Sequence, residues 1–246
     1  MEAVEDRVRR CGPPARPAGL LAGVVPAPGG WLVVAGRHGC HGPEPTGTVL
    51  RTRLASVLDG DTPFRAVALA VPVGLPDRFV PGGRTCDRQA RRLLGRRRGS
   101  AVAPAPSRAA LRAASLEAAR SSGPLSAATW HLMPWIREVD ELLDASRQQT
   151  VWSVHPELSF LRLVRRPLTH PKHSADGQRE RLCGLERAVP DGLSVGAPVV
   201  GPADRWRLID AMACLCTADR IAGGGAEHLP TVEERDSTGL RMELVW

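Results

Sequence analysis

The stretch Gly23-Val24-Val25-Pro26-Ala27-Pro28-Gly29-Gly30-Trp31, GVVPAPGGW, joins two apolar runs through a reversal built from proline and glycine. Proline presets one backbone angle of a tight turn and glycine accepts the other, so the segment reads as one strand handing over to the next. No polar side chain stands in it. That omission bears on function, because loops at the ends of strands are where binding and catalytic groups are commonly displayed.

Outward from this turn, alternating and continuous apolar runs predict strands over residues 20–25, 31–35, 48–53 and 64–71, with a short helix over 54–58. Three strands, a helix and a further strand imply an α/β fold with a mixed sheet rather than a doubly wound one. Residues 83–94 carry Cys86, Ala90, Leu93 and Leu94 at i, i+4, i+7 and i+8, with Arg84, Arg88, Arg91 and Arg92 opposite. This predicts a helix with a clean basic face, a charge that Arg96, Arg97 and Arg98 extend into the following loop. Residues 101–107 read as a linker and 109–120 as one alanine-rich helix. Ser126 caps a further helix that Pro134 is expected to kink, with Ile136, Val139, Leu142 and Leu143 on its buried side.

The helical middle, about residues 82–148, thus reads as an insertion or lid on the sheet. Residues 151–155 form a strand that stops at Pro156 and leaves Glu157 in the first turn of a helix. Residues 170–182 read as a charged loop, and 206–222 as a buried helix with Asp210 in its midst. Residues 1–18, rich in proline and arginine, read as a flexible leader before a single domain over 19–246.

A chain of 246 residues with a formal net charge of +7 favours polyanionic or phosphorylated partners by long-range attraction. With only three Phe and six Trp, a base-stacking platform for single strands is disfavoured. The six cysteines, Cys11, Cys40, Cys86, Cys183, Cys214 and Cys216, show no paired spacing, and no apolar run approaches the roughly 20 residues that cross a bilayer. A cytoplasmic protein away from membranes is expected.

Among chemically capable residues, His38, Cys40 and His41 lie close together but lack a companion pair for a zinc site. Cys214 and Cys216, two apart on one helix, point to different faces and read as core fillers. Asp87, Glu138 and Asp140 are expected to be solvated. Asp210 is the costly one: a carboxylate inside LIDAMACLC needs either a basic partner or a metal. Glu157 directly follows a strand, where side chains meet ligands, although an acid is also favoured there by the helix dipole.

Eight ordered blocks add a resemblance: GVVPAPGGW at 23–31, AVPVGLPD at 70–77, GGRTCDRQARRLLGRRRGS at 82–100, MPWIREVD at 133–140, HPELSF at 155–160, HPKHSADGQRERL at 170–182, IDAMACLCTADRIAGGG at 209–225 and the ending GLRMELVW. Together they resemble the predicted RNase H-like nuclease family catalogued as domain of unknown function 429. The resemblance implies an RNase H-like mixed sheet flanked by helices, with acidic residues gathered at one edge. The family pattern has acids at four places, which fall here on Val25, Ala70, Glu157 and Asp210. Two of the four are hydrocarbon, and this accounts for the missing polar side chain in the opening turn.

Hydrolysis of phosphodiesters in this manner relies on divalent cations held by oxygen ligands, and Val25 and Ala70 supply none from their side chains. The expectation is therefore a non-nucleolytic protein with no cofactor, acting as a binding or partner subunit for a phosphorylated ligand, nucleic acid or a protein in a heteromeric complex. Its ligand-binding candidates are Arg84, Arg88, Arg91, Arg92, His155 and His173. The alternative is a residual Mg²⁺- or Mn²⁺-dependent nuclease using Glu157 and Asp210 as a weak single-ion site, with Lys172, the only lysine of the chain, steadying the phosphate. A repurposed scaffold or accessory subunit in a small-molecule pathway is a further alternative.

Overall fold

The computed structural model describes residues 19–190, 192–195 and 199–246. In chain order its principal elements are β1 (Leu20–Ala27), β2 (Gly30–Arg37), β3 (Glu44–Arg51), α1 (Ala55–Leu58), β4 (Phe64–Leu69), α2 (Thr85–Arg98), α3 (Arg108–Leu111), α4 (Leu116–Ser121) and α5 (Ala127–Leu142). They continue with β5 (Val151–Ser153), α6 (Pro156–Val164), α7 (Ala175–Glu186), α8 (Arg205–Ala222), β6 (His228–Leu229) and β7 (Leu244–Val245). The expected leader over 1–18, with Cys11, lies outside the described residues.

Five strands form one mixed sheet in the order β3-β2-β1-β4-β5. β1 pairs with β2 and β2 with β3 antiparallel, whereas β4 and β5 continue parallel to β1, so β2 alone opposes the rest. The opening stretch supplies the first hairpin: Ala27 faces Gly30 across Pro28 and Gly29, and Gly29 takes a φ of 79°. β1 runs two residues past its expected end at Val25. β4 flanks it only from Leu20 to Val24, so Pro26 costs no rung on the β4 side of the ladder.

Alternation along the strands sorts their side chains onto two faces. Leu21, Val25, Ala27, Ala66 and Ala68 meet Ile209, Ala213 and Cys214 of α8 and Phe160 of α6. Ala22, Val24, Trp31, Val67 and Leu69 meet Met133, Ile136 and Val139 of α5. The helical middle of the chain thus contributes one of the two layers that cover the sheet. Among the described residues, no helix is long and apolar enough to cross a membrane.

Several local expectations are corrected. The helix predicted over 109–120 is two, because Ser115 accepts a hydrogen bond from the Ala118 amide and caps a fresh start for α4. α5 is one helix with Pro134 inside it, and its buried Met133, Ile136 and Val139 face the sheet. α2 reaches Arg98 but is broken at Gly95, which takes φ 68°. β5 stops at Ser153, and His155 becomes the cap of α6 by accepting from the Glu157 amide. Residues 175–182 of the expected charged loop over 170–182 belong to α7, whose start Ser174 caps by accepting from the Gly177 amide.

Candidate functional site

The parallel strands β1, β4 and β5 end at one edge of the sheet, and a cavity of about 430 Å³ opens there. Crevices outside the carboxyl ends of strands are the usual ligand sites of open α/β sheets. Val25 near the end of β1, Ala70 just after β4, Glu157 in the first turn of α6 and Asp210 on α8 all line this cavity. The Ala70 amide donates to the Val24 carbonyl at 2.8 Å, which fixes the two hydrocarbon positions beside each other. Lys172, His155, His173 and Arg84 also line it, so the structure gathers these separate sequence candidates at one place.

The two acids are already engaged. Arg98 grips Glu157 with both ends of its fork, Nη2 to Oε1 at 2.6 Å and Nε to Oε2 at 3.1 Å. Arg181 donates to the same Oε1 from the other side, with its side chain 1% exposed. Burial pushes the Glu157 carboxyl up, but the bonds from Arg98 and the charges of Arg181 and Arg98 outweigh it and hold the group below its ordinary value. Asp210 accepts from Lys172 Nζ at 3.0 Å. That ammonium lies 4.0 Å from the centre of the Trp206 ring, as does the Arg207 guanidinium at 4.1 Å, while His173 meets the ring edge-on. Burial lowers the pKa of His155, and burial together with Lys172 lowers that of His173, so both favour the neutral imidazole.

The basic stripe of α2 departs from its expected role. Arg84 is buried: its Nη2 donates to Asp87 at 2.8 Å and its Nη1 to the Val73 carbonyl at 2.7 Å. Asp87, expected in solvent, is buried with it and also accepts from the Ala105 amide, so the pair ties together two loops of the cavity wall. Arg88 donates to the Gly83 carbonyl and Arg91 to those of Gly82 and Val102, which leaves Arg92 exposed with Arg96 and Arg97. Arg88, Arg91 and Arg92 do not line the cavity. Glu138 and Asp140 are likewise engaged, Glu138 by the Trp31 indole and the Leu54 amide and Asp140 by Arg108 at 2.8 Å.

The groups that sequence reasoning missed are Arg181 and the inward role of Arg98. A signal for Arg181 existed in the i, i+4, i+7, i+8 spacing of Gly177, Arg181, Gly184 and Leu185, all buried on α7. His38 is paired with Asp219 at 2.6 Å, and Cys214 and Cys216 are buried in the core.

The sequence profile of the family described as Protein of unknown function (DUF429) matches residues 23–235. The chain belongs to the DUF429 family. The matched span of this DUF429 chain contains Val25, Ala70, Glu157, Lys172 and Asp210. No curated protein and no solved structure matched it.

A divalent cation, which the resemblance implies, has to be held by oxygen donors. The residues present do not fit one: two corners are hydrocarbon, Glu157 is shared by two guanidinium groups, and Asp210 faces an ammonium. Among the described residues, no group of three or more His, Cys, Asp or Glu side chains is placed to hold a metal ion.

Proposed function

We propose that this DUF429 chain is a non-nucleolytic, RNase H-like protein that works by binding a ligand in the cavity at the sheet edge. The strand order β3-β2-β1-β4-β5, with β2 alone reversed, supports the RNase H-like reading because it is the mixed arrangement that the sequence resemblance implies. The observation that carries the functional part is the occupation of both surviving acids by basic side chains, beside Val25 and Ala70. Metal-assisted hydrolysis needs a Lewis acid worth several kcal/mol of transition-state stabilisation. To recruit one here, a cation has to displace Arg98, Arg181 or Lys172 from a carboxylate.

The test is cleavage by the purified full chain of single- and double-stranded DNA and RNA with Mg²⁺ or Mn²⁺. No cleavage above that of the Glu157→Ala protein is expected. Manganese-dependent cleavage that disappears in both Glu157→Ala and Asp210→Asn would overturn the reading.

A further inference from the structure

The charges around the cavity do not cancel. Lys172 balances Asp210, Arg84 balances Asp87, and Arg207 balances Asp204 at 2.7 Å. Arg98 and Arg181, however, share the single carboxylate of Glu157. One positive charge is left over, at the end of the cavity where Arg98 forms part of the wall. Arg98 spends Nε and Nη2 on Glu157, and Arg181 Nε is buried with no partner among the described residues. A surplus charge in a largely enclosed place is costly unless something neutralises it. Much of the remaining wall is hydrocarbon, including Val25, Ala70, Val71, Val102, Leu132 and Ile136, and the charged side chains set in it are the paired ones already counted.

We infer that the cavity takes an organic carboxylate, its anionic head on Arg98 and its apolar body against the Val25, Ala70 and Leu132 wall, with no metal between protein and ligand. This rests on the non-nucleolytic reading. A metal site of this fold would attract cations; here the sign is reversed, and an anion docks directly. One surplus charge matches a monoanion, whereas a phosphate monoester brings about −1.5 to −2 and a nucleic acid one charge per phosphate. A planar carboxylate also suits the Nη1 edge of the Arg98 guanidinium, the edge that Glu157 does not use. A volume of about 430 Å³ lies within the range of small-molecule sites.

The experiment is calorimetric titration of the full chain, in EDTA, with octanoate and 2-naphthoate against octanamide and 2-naphthamide, and with inorganic phosphate. Each carboxylate is expected to bind once per chain and at least tenfold more tightly than its amide. Arg98→Gln, which leaves Arg181 on Glu157, is expected to erase that preference while amide binding stays as it was, and Arg98→Lys to restore part of it. Equal affinity for acid and amide, tighter binding of inorganic phosphate, or no binding with or without metal would overturn this inference and leave the non-nucleolytic reading standing. Carboxylate binding only after Mg²⁺ or Mn²⁺ is added would overturn both.

Discussion

Arg98 and Arg181 converge on one oxygen of Glu157, the first from the end of α2 and the second from the middle of α7. The carboxylate is thus a clamp between three helices as well as a wall of the cavity. Removing it strands Arg181, which has 1% of its side chain exposed, as an unpaired buried charge. Glu157→Ala is expected to lose about 3–5 kcal/mol in urea unfolding, the usual cost of breaking a buried pair from one side. Arg98→Gln should lose less, since Arg181 keeps its partner. Equal losses, or none, would show that the clamp is not what holds α7 in place.

Restoring the absent acids should restore cation affinity. Val25 is 4% exposed, so the double variant Val25→Asp, Ala70→Asp buries new negative charge and is expected to be less stable without metal. Mn²⁺ should then stabilise it, because an ion that binds only the folded state raises stability by mass action. Titration followed by electron paramagnetic resonance is expected to give at least tenfold tighter Mn²⁺ binding than in the parent protein. Equal binding by the two would contradict the role assigned to Val25 and Ala70.

Much of this arrangement was legible in the sequence, and the remainder has physical reasons for having been hidden. Apolar runs and the Pro-Gly turn gave the first three strands and the reversal between the first two, because sheet faces and turn angles are local properties; the direction of the third came only with its pairing to β2. The gathering of Val25, Ala70, Glu157, Asp210 and Lys172 followed from an ordered resemblance across the chain. What spacing could not give was the fate of Arg84, Arg88 and Arg91: it fixes the helix face they share but not the loops over 73–74, 82–83 and 102 that lie against it. The same limit hid the burial of Asp87, which depends on Arg84 and on the Ala105 amide eighteen residues on.

The first residue of the opening stretch sets how closely α8 can approach the sheet. A Cβ built on Gly23 would collide with the Ala211 carbonyl and the Leu215 amide, both backbone atoms that cannot rotate away. Gly23→Ala is therefore expected to cost about 3 kcal/mol or more, at the upper end of overpacking. Because Asp210 precedes Ala211, the same change should shift Asp210 and weaken ligand binding in the calorimeter. Gly47, which has nothing within 4 Å of its built Cβ, is the control: Gly47→Ala should be close to neutral.

His155 gives the site an acid sensitivity whose sign follows from its burial. Burial is the largest influence on its pKa, which the nearby Lys172 also lowers, against an upward pull from Glu157 and Asp210. The folded imidazole therefore refuses a proton that the unfolded one accepts at about 6.5. Above that pH both states are neutral and the contribution to stability is whole. As the pH falls below it, only unfolded chains gain the proton, and stability drops by at most about 1.4 kcal/mol per pH unit until the folded His155 titrates. The carboxylates of Asp87, Glu157 and Glu180, all held below their ordinary values, lose their contributions only at lower pH, with Glu180 held at about 2. Urea unfolding between pH 7 and 5 should accordingly show a slope that His155→Asn reduces, since asparagine keeps an acceptor for the Glu157 amide but takes up no proton. His173, whose pKa is also lowered, leaves a residual slope in that variant. Identical slopes in the two proteins would mean that His155 is protonated as readily in the folded chain as in the unfolded one, and that the charge count of the cavity has to include it.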